Sequence, residues 1–248
     1  MRLDILALAA HRDDVEQTCG GALLRMAEEG AVTGILDLTA GESGTRGTAV
    51  ERGIEAARAA ELLRVQWRGT LSLPDGGLEV NRDAKIRIAQ VIRETQPRIL
   101  IVPYPKGRHP DHYTAGILGY EAAFLAGLKK LEIPDSSAPA FRPHTVIYAS
   151  LYSNERPSFI VDISRQFEAR MESLLAYASQ YRDQKDGSTI FPEAADIRVR
   201  VESLARTYGM MIGVKYGEPF ISPTPLRVGD LRQIDIDTFT KGGLIAPF

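Results

Sequence analysis

The chain has 248 residues, 44% of them hydrophobic and 25% charged, enough for a large core of an ordinary globular kind. Its formal net charge of -2 supplies no global field to draw nucleic acid or an anionic membrane, so neither is expected as a partner. One cysteine, Cys19, excludes an internal disulfide, and the N-terminal apolar stretch is too short for a signal peptide or a membrane span. The chain therefore reads as cytoplasmic.

Leu3 to Ala10 is an apolar run with few breaks, as in a strand buried on both faces. Asp13 and Asp14 then open a helix, with carboxylates at the end the dipole favours. Leu23, Leu24 and Ala27 give it an apolar stripe, and Gly30 caps it. Val32 to Leu38 is a second strand, so this unit is a βαβ crossover with a parallel pair.

A polar, glycine-rich loop, Thr39 to Gly47, follows. Next come a helix from about Ala49 to Leu63 and a strand within Arg64 to Leu73, closed by a turn at Pro74-Asp75-Gly76-Gly77. Asp83 to Thr95 predicts a helix that stops before Pro97. Arg98 to Val102 predicts a strand, Tyr113 to Lys130 a helix, and Glu132 to Pro143 a surface loop. Thr145 to Tyr152 and Phe159 to Ile163 predict further strands. Ser164 can N-cap a helix to about Tyr181, and another helix runs from Glu193 to Met211. The tail after Tyr216 carries Pro219, Pro223 and Pro225 and is expected to be mostly irregular. The alternation predicts an α/β fold with a Rossmann-like, doubly wound, mostly parallel sheet over residues 1–130. Strands and helices from 131–248 add to the same core, making 1–248 a single domain.

Three of the four histidines fall in two stretches that each follow an apolar run. One is Ala10-His11-Arg12-Asp13-Asp14-Val15-Glu16; the other is Tyr104-Pro105-Lys106-Gly107-Arg108-His109-Pro110-Asp111-His112. Such strand ends are where α/β proteins place ligands. Neutral imidazole and ionised carboxylate suit a divalent cation such as zinc, and a catalytic site needs three protein ligands with a position left for water. His11, Asp14 and His112 supply that set, one ion per chain, with another divalent transition metal as an alternative. Asp13 is the candidate base that takes a proton from the attacking water. His109, as an imidazolium, is placed to stabilise an oxyanion or protonate an amine, with Asp111 orienting it.

These two motifs resemble those of the LmbE-like, or PIG-L, superfamily of zinc-dependent N-acetylglucosaminyl deacetylases. The resemblance extends through Gly20-Gly21, Asp37-Leu38-Thr39, Gly41-Glu42, Gly47-Thr48, Glu51-Arg52 and Pro74-Asp75. It continues at Ala176-Tyr177-x-Ser179-Gln180 and Gly213-x-x-Tyr216-x-Glu218-x-Phe220, which are most similar to the branch that deacetylates GlcNAc-malate in bacillithiol synthesis. It implies zinc at His11, Asp14 and His112, Asp13 as general base and His109 as electrostatic helper. It also implies a small-molecule N-acetylglucosaminyl substrate. Arg12 stands where the family usually has proline, and would put a cation near the mouth. No tyrosine occupies Pro192 to Asp196, where some relatives carry a mobile one.

Arg108 and Arg52 are the cations expected to face an anionic aglycone. The glycine-rich loop lacks Walker spacing and is read as a mobile rim. Trp67 and Tyr104 can stack on a sugar or fill the core. Two rival readings stand beside the deacetylase: a metal-dependent phosphohydrolase, which would call for a second metal, and a non-catalytic ligand-binding protein. The oligomeric state is open, a homo-oligomer included.

Overall fold

The computed structural model describes residues 1–134, 136–181 and 194–230. Its elements run β1 (Ile5–Ala9), α1 (Asp14–Thr18), α2 (Gly20–Glu28), β2 (Thr33–Thr39), α3 (Ala49–Leu62), β3 (Trp67–Leu73), α4 (Arg82–Thr95) and β4 (Ile99–Pro103). They continue with α5 (Pro110–Ala126), β5 (Thr145–Ala149), β6 (Phe159–Asp162), α6 (Phe167–Leu175), α7 (Ala178–Tyr181), α8 (Ala194–Met211) and β7 (Gly217–Ile221). No helix among the described residues is long and apolar enough to cross a membrane.

The strands form one sheet in the order β3-β2-β1-β4-β5-β7-β6. β3, β2, β1, β4 and β5 are parallel neighbours, and β7 runs antiparallel to both β5 and β6. This is the mixed, doubly wound α/β architecture that the sequence predicts. Alternation along β1 explains the two layers of core. Leu6 and Leu8 pack toward α4 and α5, with Ile88, Ile92 and Leu118. Ile5, Ala7 and Ala9 pack toward α1 and α2, with Val15 and Leu23. A third cluster joins α3, α6, α7 and α8 through Ala59, Phe167, Met171, Tyr177 and Val201.

Several elements differ from the sequence expectation. The first helix breaks at Cys19, because the buried Glu218 carboxylate accepts the Gly21 and Ala22 N–H groups (2.9 and 2.7 Å) and starts a new helix there. Gly21 permits this approach: a Cβ would lie 2.9 Å from Glu218 Oε1. Glu218 belongs to β7, so the first residues of the tail expected to be irregular, Gly217–Ile221, form a buried strand instead; 222–230 is irregular as expected, and the remainder lies outside the described residues. Pro219 gives up only a donor; its carbonyl still accepts from Ser150 N–H (3.2 Å). The helix expected from Tyr113 starts at Pro110, with His109 as its N-cap. Ser164 does not cap α6: its hydroxyl donates to Asp162 at 2.6 Å, and Gln166 is the N-cap. The helix expected to reach Tyr181 is interrupted between α6 and α7. The expected start of the last helix at Glu193, and Pro192 in the segment lacking a tyrosine, lie outside the described residues.

Candidate active site

β1 and β4 lie side by side, yet the chain leaves them in opposite directions, to β2 on one flank and β5 on the other. Their C-terminal ends therefore bound the crevice of a topological switch point. His11, Asp13 and Asp14 occupy the turn from β1 into α1; His109, Asp111 and His112 open α5 just beyond β4. Tertiary pairing thus unites two motifs 101 residues apart.

Three donor groups converge there. His112 Nε2 lies 3.1 Å from Asp14 Oδ1, His11 Nδ1 lies 3.6 Å from Asp14 Oδ2, and the two imidazole nitrogens are 3.2 Å apart. Ligand atoms bound tetrahedrally at zinc distances are about 3.4 Å from one another. The set can therefore hold one ion of that size. His11, His109 and His112 form a looser nitrogen set, with donors within 4.8 Å. The Asp14-containing set has the tighter spacing and supplies the charge a divalent ion needs.

The other His11 nitrogen is also engaged. Nε2 lies 3.1 Å from Asp75 Oδ1 and 3.3 Å from Asp111 Oδ2. Two carboxylates on Nε2 hold a proton there, so that Nδ1, facing the cluster, is the nitrogen that would ligate once its own proton is lost. Asp111 also accepts from the Gly76 and Leu78 N–H groups (2.8 and 3.2 Å). Its carboxylate thus orients His11, not His109 as expected from the sequence. Its backbone N–H does reach His109, donating to Nδ1 at 3.2 Å.

That bond bears on the charge of His109. A ring nitrogen that accepts is unprotonated, so the neutral ring carries its proton on Nε2. Burial, then the positive charges of His11 and His112, push its pKa below the usual histidine value. Both features favour a neutral ring that donates through Nε2–H over the expected imidazolium. His11 goes the other way. Burial disfavours its charge, but hydrogen bonds to Asp14 and Asp75 outweigh this and hold it up to about 11. Asp14 is driven well below the carboxylate range because His112 and His11 overcome its burial.

Asp13 is buried and stands at φ 98°, a left-handed conformation that is strained for a residue with a side chain. Burial, then repulsion from Asp14, raises its pKa to about 7 against the pull of Arg52 and Tyr181. Its Oδ2 accepts from Tyr181 Oη at 2.7 Å and Gln17 Nε2 at 3.2 Å. Arg52 Nη2 lies 3.6 Å from its Oδ1.

The two arginines separate. Arg108 is exposed on the rim of a cleft of about 360 Å³, also lined by Tyr104, Lys106, Tyr152 and Arg200. Arg52, expected to face the aglycone, is buried behind the catalytic turn, donating to Arg12 O (2.8 Å) and Gly41 O (3.3 Å). Arg12 also points inward, onto Ala49 O (2.6 Å), so its cation is not at the mouth. The glycine-rich loop is tied down, with Ser43 N–H bonded to Asp75 (2.9 Å) and Arg46 O to Gln180 (2.7 Å). Trp67 packs with the core, while Tyr104 lines the cleft.

Asp75, Gln17 and Tyr181 escaped the sequence reading as site residues. Pro74-Asp75 was visible as a turn, but the tie to His11 spans 64 positions between Asp75 and His11 in the sequence. Glu16, inside the first motif, serves the scaffold: it is fully buried and binds Arg68 (2.7 Å) and Tyr177 Oη (3.0 Å).

A family model described as GlcNAc-PI de-N-acetylase, PIG-L, matches residues 6–123. Diacetylchitobiose deacetylase of Thermococcus kodakarensis is 32% identical over 228 residues, 86% of this chain and 80% of that protein. The chain belongs to the PIG-L family. Among solved structures, the conserved protein TT1542 from Thermus thermophilus is similar with a TM-score of 0.82 at 38% identity, covering 92% of this chain and 98% of that one. A protein named for a different activity is similar as well. A 4-oxalmesaconate hydratase of Pseudomonas putida is 27% identical over 193 residues, covering 71% of this chain and 73% of that protein.

Proposed function

We propose that this PIG-L protein is a metal-dependent N-deacetylase acting on an N-acetylglucosaminyl compound. The observation that carries the reading is the convergence of His11, Asp14 and His112 beside a further buried carboxylate, Asp13, that is free of that cluster. Its 32% identity to a diacetylchitobiose deacetylase supports the substrate class. Nitrogen and carboxylate donors suit zinc. A divalent ion held there would polarise the acetyl carbonyl and acidify the attacking water.

The chain's own groups do the rest. Asp13 accepts the proton of the attacking water. His109 Nε2–H donates to the oxygen that gains charge as the carbonyl becomes tetrahedral. Asp13 then holds the proton that the departing amine needs. The mouth of the cleft adds specificity. Arg108 and Arg200 line it and pair with no carboxylate among the described residues. They fit an anionic aglycone, and GlcNAc-malate of bacillithiol synthesis is the substrate we assign. The single buried cysteine fits a reducing compartment, so a cytoplasmic setting belongs to the same proposal.

The test is amine release by metal-loaded protein from GlcNAc, GlcNAc-malate, GlcNAc-inositol and diacetylchitobiose. GlcNAc-malate is expected to react fastest. Asp13→Asn should keep its metal and lose roughly 10²–10⁴ in turnover. The hydratase likeness defines the competing result: no amine from any of the four, with water added to 4-oxalmesaconate instead.

A further inference from the structure

We infer that Tyr181 is a positioning residue for Asp13, saturating Oδ2 together with Gln17 so that Oδ1 is the atom that accepts the proton. The inference rests on the role proposed for Asp13 above.

A carboxylate oxygen offers two lone-pair directions. Asp13 Oδ2 uses both, on Tyr181 Oη at 2.7 Å and Gln17 Nε2 at 3.2 Å. No hydrogen bond reaches Oδ1 among the described residues; the Arg52 guanidinium stands off at 3.6 Å, beyond hydrogen-bond length. An incoming proton therefore has one vacant oxygen to occupy. The two donors also restrain rotation about the side chain of a residue whose backbone is already strained. Reorientation would cost two hydrogen bonds to a charged acceptor, which are stronger than neutral ones.

Both donors are themselves held. Gln17 Oε1 accepts from Tyr152 Oη at 3.0 Å, which sets the amide so that Nε2 faces Asp13. Tyr181 is buried in the cluster that joins α3 to α6 and α8. Its helix, α7, is fastened from two sides. Ser179 N and Oγ bind the Glu55 carboxylate, each at 2.7 Å. Gln180 Nε2 donates to Arg46 O at 2.7 Å, in the glycine-rich loop. Gly47 makes that contact close: its φ is +70°, and a Cβ would lie 2.6 Å from Ser179 Oγ. The glycine-rich loop thus places α7, α7 places Tyr181, and Tyr181 places the base. Tyr181 lies outside residues 6–123, the span of the family match, so this contact is contributed by the C-terminal half.

The experiment is a double-mutant cycle on the metal-loaded full chain, using Tyr181→Phe and Asp13→Ala with turnover, KM, metal content and urea midpoint read for each. Tyr181→Phe keeps the ring and removes only the hydroxyl. It is expected to lower kcat between about ten- and a hundredfold, as small misplacements of a reacting group do, with KM and bound metal unchanged. In the Asp13→Ala background the same substitution should have no further effect on kcat, because the group it positions is gone. An equal loss in both backgrounds, a change confined to KM, or loss of metal overturns the inference. A wild-type protein that releases no amine from any acetylated sugar overturns the proposed function and this inference with it. An active wild type with an unaffected Tyr181→Phe overturns the inference alone.

Discussion

Asp75 Oδ1 lies 3.1 Å from His11 Nε2, on the side of the imidazole opposite the one that faces Asp14 and His112. A loop between β3 and α4 thereby holds the Nε2 proton of a residue that follows β1 and leaves Nδ1 as its ligating nitrogen. Substitution of such an outer partner typically costs ten- to a hundredfold in metal affinity. Asp75→Ala is expected to weaken divalent-metal binding by about that factor, read by chelator competition. Asp111 remains on the ring, so the loss should be partial. Unchanged affinity would remove Asp75 from the site.

Metal binding should be proton-linked. Without metal, hydrogen bonds to Asp14 and Asp75 hold the His11 pKa up to about 11 despite its burial. A protonated imidazole that must ligate through Nδ1 has to give up a proton. Binding therefore tightens as pH rises and weakens as it falls, about tenfold per pH unit for each proton displaced. Titration calorimetry in buffers of different ionisation heat measures the protons released. Affinity that stays flat between about pH 6 and 8 would contradict a protonated His11 in the metal-free protein.

His109 is expected to work as a neutral donor. Its Nδ1 accepts from the Asp111 N–H, and burial with two charged neighbours lowers its pKa. Activity should then persist above about pH 7, where an imidazolium of ordinary pKa would be lost. His109→Ala should cost about 10²–10³ in turnover, as loss of an oxyanion donor does. His109→Gln keeps an N–H and should recover part of it, with metal content unchanged in both. An alkaline decline that disappears in His109→Gln would restore the imidazolium.

The two arginines should behave differently. Arg108 stands exposed at the cleft, whereas Arg52 is buried against the catalytic turn. A charge-assisted hydrogen bond contributes roughly 1.5–3 kcal/mol. Arg108→Ala should therefore lower kcat/KM for an anionic conjugate about ten- to a hundredfold and leave plain GlcNAc nearly untouched. Arg52→Ala should depress every substrate alike, through Asp13. A selective effect of Arg52 on anionic conjugates would return it to the aglycone side.

Local pattern carried much of this protein. The unbroken apolar runs of β1 and β4 announce buried parallel strands, and scarce histidines just beyond them announce a site, because both signals are confined to a few consecutive residues. Helix limits were legible where the stop signal was local, as with α4, which ends at Thr95 just before Gln96-Pro97. Three kinds of fact needed the tertiary structure. Partnership was one: Asp75 and Tyr181 join the site through contacts across 64 and 168 positions, and no local periodicity encodes them. Protonation was another, since what lowers the His109 pKa is burial and then the charge of His11 and His112, neither of which is encoded locally. The third was β7. Pro219 within it, with Pro223 and Pro225 just beyond, reads as coil, but Glu218 buried on the start of α2 and pairing with β5 and β6 outweigh that local preference. Short-range propensity is worth tenths of a kcal/mol to about 1 kcal/mol per residue, whereas a buried carboxylate left without its partners costs several. Where the two disagree, the long-range term decides.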